Sequence, residues 1–180
     1  MNLLVVGGGG REHAIIQKLR ESPAVETIYA LPGNGGIAQD AVCVPEIGAK
    51  DIGKIVDFAR SHRIDFAVVA PDDPLALGMV DALEAAGIPA FGPRKNAAII
   101  EASKAFSKEL MKNYHIPTAK YETFSDLDKA LAYIEGQGAP IVVKADGLAL
   151  ASSTVEATTT PLPKASPSAL TTMGAPCSSM

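Results

Sequence analysis

Residues 1–14 read Met1-Asn2-Leu3-Leu4-Val5-Val6-Gly7-Gly8-Gly9-Gly10-Arg11-Glu12-His13-Ala14, and this stretch decides the fold. Leu3 to Val6 is an unbroken apolar run, the pattern of a strand buried on both faces of a parallel sheet. Four glycines follow at once, so the backbone is free to turn sharply and to leave its amides uncovered. From Arg11 onward a helix is predicted, with Ala14, Ile15, Ile16 and Leu19 at helical spacing. Strand, glycine turn and helix N-terminus together make an anion site. The helix end offers free N–H groups and roughly half a unit of positive charge. Arg11 adds a planar fork suited to phosphate or carboxylate. A tight βα turn without a ligand is the alternative reading of the glycines alone.

A dinucleotide is the first ligand to test, and the residues argue against it. The fingerprint G-x-G-x-x-G needs a third small residue close to the sheet. Counted from Gly7 that position is Glu12, and from Gly8 it is His13. The fingerprint also wants an acid at the end of the second strand. Here Val25 to Ala30, the expected second strand, runs into Leu31-Pro32-Gly33-Asn34 with no carboxylate. A phosphate fits this loop better than a nicotinamide cofactor.

Further along, strand and helix alternate. Asp40 to Val44 reads as a third strand, Asp51 to Ser61 as a helix, and Phe66 to Ala70 as a buried strand ending in the loop Pro71-Asp72-Asp73-Pro74. Gly78 to Ala86 reads as a helix stopped by Gly87, and Ala90-Phe91 as a last short strand before Gly92-Pro93. The alternation predicts an α/β fold with a doubly wound parallel sheet. Ligands of such sheets bind outside the carboxyl ends of the strands. Three loops lie there: Gly7 to His13, Pro32 to Gly36, and Pro71 to Pro74. For Asp72 and Asp73 a solvated turn is the alternative. His13 is expected to pack or hydrogen-bond in the first helical turn rather than to act as a base. His62 and His115 read as surface residues without metal spacing.

Beyond residue 94 the pattern changes. Asn96 to Glu101 and Lys104 to Tyr114 read as helices, the second capped by Ser103, and the segment breaks at Ile116-Pro117. Tyr121 to Phe124 alternates like a strand. Ser125 is the expected cap of a helix over Asp126 to Ile134, and Ile141 to Lys144 reads as a strand ending in a lysine.

Composition limits the function classes. The 180 residues are 47% hydrophobic, enough for one domain or one and a half. A net charge of -4 gives no reason to propose nucleic acid or a membrane surface as partner. Cys43 and Cys177 have no C-x-x-C spacing, so neither a disulfide scaffold nor a metal cluster is expected. No apolar run approaches the length of a membrane span, the N-terminus shows no cleavable leader, and cytoplasmic is the default expectation. No oligomeric state follows from the sequence.

Several motifs in register carry a resemblance. Gly8-Gly9-Gly10-Arg11-Glu12-His13-Ala14, Pro32-Gly33-Asn34, Phe91-Gly92-Pro93, Glu101-Ala102-Ser103-Lys104-Ala105-Phe106 and Val142-Val143-Lys144-Ala145-Asp146-Gly147-Leu148 together resemble the N-terminal part of the phosphoribosylamine–glycine ligase family. The resemblance runs from residue 1 to about 149. It implies a phosphosugar-binding α/β domain over 1–93 and the incomplete start of an ATP-grasp domain over 94–149. It implies phosphoribosylamine, glycine and ATP as small-molecule substrates, with ATP-driven ligation as the activity in purine synthesis. Gly8, Gly9, Gly10, Arg11, Glu12, Pro32, Gly33, Asn34 and Asp72 then become the substrate-binding set, Asp72 standing where the family usually has glutamate. Lys104 and Lys144 match the two lysines that contact ATP phosphates, as point-charge binders. Each on its own would more often be a surface lysine. The family's Mg2+ or Mn2+ ligands lie in later sequence without a counterpart here. A non-catalytic phosphosugar-binding domain and a dinucleotide-binding domain are the other readings, the second disfavoured by the failed fingerprint.

After Ala149 the family continues into a glycine-lysine-glycine loop, whereas this chain has Leu150-Ala151-Ser152-Ser153. Residues 1–150 hold 8 Ser or Thr and residues 151–180 hold 12, with Glu156 and Lys164 the tail's only charges. Such a composition predicts disorder. The break in mid-motif suggests an out-of-frame end, with a Ser/Thr/Pro linker as the alternative.

Overall fold

The computed structural model describes residues 1–138, 141–147, 152–155 and 170–174. The chain divides into two compact units, Met1–Ala98 and Ile99–Met180.

In the first unit, β1 (Asn2–Gly7) lies at the centre of a five-stranded sheet. It pairs in parallel with β2 (Thr27–Pro32) on one side and β4 (Phe66–Val69) on the other. The edges are β3 (Val42–Cys43) and β5 (Ala90–Phe91), giving the order β3-β2-β1-β4-β5. Alternation along β1 divides the core between the two faces. Leu4 and Val6 pack with Ile55 and Ala59 of α2 (Ile52–Ser61) and with Met79, Val80 and Leu83 of α4 (Met79–Ala85). Leu3 and Val5 pack with Ile16 of α1 (Gly10–Arg20) and with Ile37. Burial of the central strand on both faces is what its continuous apolar run required. The doubly wound expectation holds, and the direction of winding switches between β1 and β4.

The second unit takes up the end of α5 (Lys95–Ala102), then α6 (Lys104–Asn113), β6 (Tyr121–Phe124), α7 (Leu127–Gln137) and β7 (Ile141–Ala145). Ser103 caps α6 as expected, its hydroxyl accepting from the Phe106 amide at 3.1 Å. Two further strands, β8 (Ser152–Val155) and β9 (Leu170–Gly174), complete a sheet ordered β6-β9-β7-β8, in which all pairs are antiparallel.

Several expectations are corrected. The loop at Pro71–Pro74 is the start of a helix, α3 (Asp72–Leu77). Pro71 caps it, Asp72 and Asp73 sit in the first turn where carboxylates suit the helix dipole, and Pro74 falls where no helical N–H bond is lost. Gly78, at φ +96°, ends α3 and turns the chain into α4, a left-handed conformation that favours glycine. β2 continues through Leu31 into Pro32, because Gly7 and Pro32 are register partners at the sheet's end. β3 is shorter than Asp40 to Val44. The cap of α7 is Asp126 rather than Ser125, its carboxylate accepting from the Lys129 amide at 3.0 Å. In the tail, where disorder was expected, β8 and β9 pair with β7 and β6. β-branched Thr and Val suit strands, and β7 offers two edges to pair. The expectation for residues 156–169 and 175–180, and the absent glycine-lysine loop at 148–151, lie outside the described residues.

Candidate functional site

Nine of the predicted site residues come together at the carboxyl ends of β1, β2 and β4. Gly7, at φ +121°, ends β1, and Gly9 caps α1 in an extended conformation. Gly8 is glycine because the chain leaves it no room. A Cβ there would lie 2.5 Å from the Gly33 carbonyl oxygen, a backbone atom. Gly10 is different, with no neighbour within 4 Å of an added Cβ, so this residue faces open space. The loop is thus packed on its Gly8 side and open on its Gly10 side.

Glu12 was grouped with the ligand-facing residues, but it is turned inward and only 5% exposed. One carboxylate oxygen accepts the Gly9 amide at 2.6 Å, a reciprocal cap of the helix start. The Gly9 N–H is therefore spent inside the protein. The Glu12 Cγ also lies 2.8 Å from where a Gly7 Cβ would stand, alongside Pro71 at the same distance. A long acid fills the place that the dinucleotide fingerprint reserves for a small residue.

Arg11 stands in solvent. Its guanidinium donates to the Ala70 carbonyl at 2.9 Å and lies 3.5 Å from the Asp72 carboxylate, so the first and third loops meet here. An exposed pair of this kind contributes little stability; its effect is to place a cation and an acid side by side where the two loops meet. Asp73 points to a different partner, the Lys50 ammonium. The second loop is fixed by Asn34. Its side-chain amide donates to the Gly8 carbonyl at 2.7 Å, and its oxygen accepts from the Gly36 and Ile37 amides at 2.8 and 2.9 Å. Gly33 donates to the Gly7 carbonyl at 3.1 Å, next to the end-of-strand Pro32.

His13 bonds to Asp40 through Nε2 at 2.8 Å, which agrees with a hydrogen-bonding role in the first turn. The His13 bond, above all, holds the Asp40 carboxyl below its usual range; partial burial opposes this, and Arg20 and Gln17 add to it. Asp40 so ties the Pro32–Gly36 loop's far end to the length of α1. Sequence reading missed this node, because Asp40 lies in a stretch taken for a strand. His62 is exposed and stacks on the Phe58 ring, centroids 3.8 Å apart.

In the second unit, Lys104 begins α6 and Lys144 lies in β7. The Lys104 ammonium donates to the Gly147 carbonyl at 2.5 Å, just past the strand. Asp146 binds the two elements together, and the sequence reading did not single it out. Its carboxylate accepts from the Ser103 hydroxyl at 3.2 Å and from the Ala105 amide at 3.1 Å. Burial alone would raise this carboxyl, but hydrogen bonds from Ala105, Ser103, Gly147 and Lys104 outweigh it and hold it below the usual range. Lys108 was also missed. It is 7% exposed, and its ammonium donates to the Thr118 hydroxyl and to the Ala119 carbonyl. Among the described residues no three His, Cys, Asp or Glu side chains are placed to hold a metal ion. Asp146 spends its oxygens on α6. The described residues do not fit a magnesium site.

A doubly wound parallel sheet, followed by a second unit built on an antiparallel sheet, is the architecture that the resemblance implies for the opening part of an ATP-grasp protein. Comparison narrows this. Residues 1–101 match the family described as phosphoribosylglycinamide synthetase, N domain, and residues 102–165 match its ATP-grasp (A) domain. The chain belongs to the phosphoribosylglycinamide synthetase family. The second match runs past residue 149, where the resemblance was expected to stop. The phosphoribosylamine–glycine ligase of Streptococcus pyogenes serotype M1 is 52% identical over 159 residues, which is 88% of this chain and 38% of that protein. That of Listeria monocytogenes serotype 4b is 54% identical over 149 residues, 83% of this chain and 36% of the relative. The chain thus spans well under half the length of these curated relatives. Among solved structures, phosphoribosylamine–glycine ligase from Thermotoga maritima shares the fold with a TM-score of 0.70 at 23% identity, over 97% of this chain and 44% of that one. N5-carboxyaminoimidazole ribonucleotide synthetase from the same organism gives 0.66 at 20% identity, over 96% and 45%. Among the described residues no helix is long and apolar enough to cross a membrane.

Proposed function

We propose that this chain supplies the phosphosugar-binding domain and the opening of the ATP-binding domain of an enzyme that joins glycine to 5-phosphoribosylamine. The observation that carries the proposal is the meeting of three loops at the winding switch, with Arg11 exposed beside the open Gly10 end of α1. The 5-phosphate goes to the free amides of the helix start and to Arg11. Glu12 already holds the Gly9 amide, so Gly10 and Arg11 carry the contact. Asp72 takes ribose hydroxyls or the amine. Asn34 and Gly33 shape the loop that closes the other side.

In the reaction, the glycine carboxylate attacks the γ-phosphorus of ATP, giving an acyl phosphate and ADP. The phosphoribosylamine nitrogen then attacks the acyl carbon, phosphate leaves, and the nitrogen loses a proton. Lys104 and Lys144 would meet the ATP phosphates. A transferring phosphoryl group is stabilised mainly by surrounding positive charge, and removal of one donor can cost roughly 10²–10³ in rate. The glycine-lysine loop of the family is replaced in this sequence by Leu150-Ala151-Ser152-Ser153. Residues 1–180 by themselves should therefore bind substrate without ligating it.

Thermal shift with ribose 5-phosphate, ATP–magnesium and NAD tests the reading, since a ligand that prefers the native state raises Tm. Stabilisation by ribose 5-phosphate and none by NAD is expected. No shift with ribose 5-phosphate, or a shift with NAD alone, refutes it. Glycine-dependent ADP release above a no-enzyme control would refute the inactivity.

A further inference from the structure

We propose that Glu12 selects the class of ligand that the glycine loop accepts: a terminal phosphate monoester is taken, and a bridging pyrophosphate is turned away. The inference rests on the proposed 5-phosphate site at this loop and deepens it.

The glycines of the loop serve two different ends. At Gly7 an added Cβ would stand 2.8 Å from Cγ and 2.9 Å from Cδ of Glu12, and 2.8 Å from Cγ of Pro71. At Gly9 it would stand 2.7 Å from the Glu12 Oε2. At Gly8 it would meet the Gly33 carbonyl. Three of the four glycines thus make room for atoms of the protein itself, and two of the three make it for Glu12. Gly10 alone of the four meets nothing within 4 Å. Glu12 is the third residue of α1 and is 5% exposed, so its carboxylate fills the Gly7–Gly9 half of the loop and takes the Gly9 amide at 2.6 Å. The other half holds Gly10 and Arg11. Amides of a first helical turn have no partner within the helix, and the Arg11 side chain is 63% exposed.

A pyrophosphate ester carries one negative charge on each of two phosphates. A dinucleotide fingerprint meets it with close backbone approach along the whole turn and with the helix start. Here the Gly7–Gly9 half offers a carboxylate and a spent amide. A second phosphate placed there would lose a donor and face a like charge in a poorly solvated position. A terminal monoester needs only the open half, where Arg11 supplies a fork of donors. A glutamate that served only as a helix cap would have no bearing on the choice between the two.

The test is a titration of the 15N-labelled full chain with two ligands, read at the Gly10 and Arg11 amides so that binding elsewhere does not count. The ligands are ribose 5-phosphate and ADP-ribose, which is ribose 5-phosphate extended through a second phosphate. ADP-ribose should bind at least about tenfold more weakly. Ribose 5-phosphate should shift the Gly10 and Arg11 amides more than the Gly9 amide. Glu12→Gln keeps an oxygen for the Gly9 amide and removes the charge, and Glu12→Ala also frees the amide. Each should narrow the ratio of the two dissociation constants by about fivefold or more. Loss of a merely structural cap would weaken both ligands together and leave the ratio alone. A ratio unmoved in both variants overturns the inference and leaves the 5-phosphate site standing. If neither variant folds, equal affinity of the unaltered chain for the two ligands, or a Gly9 amide that shifts as far as that of Gly10, overturns it in the same way. Failure of the unaltered chain to bind ribose 5-phosphate overturns both.

Discussion

Gly8 and Gly10 are two residues apart in one loop, yet replacing each by alanine should change stability in opposite directions. At Gly8 the new methyl group would sit 2.5 Å from the Gly33 oxygen and 3.1 Å from its carbonyl carbon. Both are backbone atoms, held by the Gly33-to-Gly7 hydrogen bond and by the pairing of Gly7 with Pro32, so neither can swing away. Forcing a group into a packed site costs about 1–3 kcal/mol. The shift also strains the Asn34-to-Gly8 bond of 2.7 Å, whose loss adds about 1 kcal/mol. Gly8→Ala should therefore destabilise the first unit by about 2–4 kcal/mol. At Gly10 the methyl group meets nothing within 4 Å and the residue is the first of α1, where alanine is the better helix former by up to about 1 kcal/mol. Gly10→Ala should be neutral or slightly stabilising. Urea unfolding followed by amide exchange at Leu4, Val5 and Val6 reports on this unit alone. Equal stabilities for the two variants, or a Gly10→Ala variant that loses more than about 1 kcal/mol, would refute the packing argument.

Arg11→Ala should weaken ribose 5-phosphate binding by roughly 1.5–3 kcal/mol while leaving stability within about 0.5 kcal/mol, and calorimetry beside a urea melt would expose a wrong assignment if the affinity held. Asp146 has a folded pKa below its ordinary 3.8, so its stabilisation is present above that value and drains away as pH falls through the folded one. Asp146→Asn should cost the second unit about 1–2 kcal/mol at neutral pH, after allowance for solvent screening, and flatten the acid limb; an unchanged acid limb would show that Asp146 does not bear the load. A chain cut after Ala149 loses β8 and β9, leaving β6 and β7 unpaired with one another. Amide protection over 121–124 and 141–145 should vanish while Leu4 to Val6 stay protected, and retained protection in both stretches would contradict the sheet order.

What the sequence revealed, and what it hid, follows from range. The β1–glycine–α1 unit was legible because its signals are local: an apolar run, four glycines, a helical period. Ser103 was legible as a cap for the same reason. Asp72 was placed in a loop because two prolines and two acids suggest a turn, yet the same residues suit a helix start. Glu12 was grouped with Arg11 because neighbours in a motif look alike in sequence. In the fold they diverge, one bonded to Gly9 and one in solvent. Asp146, Asp40 and Lys108 act across 43, 27 and 10 residues, and no local pattern announces such partners. The tail shows the limit of composition: a Ser/Thr-rich stretch cannot build a core alone, but it can add strands to one that exists.

The strand order of the second sheet dictates an order of assembly. β9 lies between β6 and β7, although it is the last of the described strands in sequence, and Thr123 is the register partner of Thr171 across that junction. Closing so long a loop costs entropy before any contact repays it. As a growing polypeptide emerges from the ribosome, the first unit can complete every parallel pairing once Phe91 is clear of the exit tunnel. In the second sheet only the β7–β8 pair can form that early. β6 and the other edge of β7 must wait until β9, made well after both, joins them. During that interval their exposed edges are open to any other extended chain, which makes this half of the protein the one that most needs shielding while it is being made.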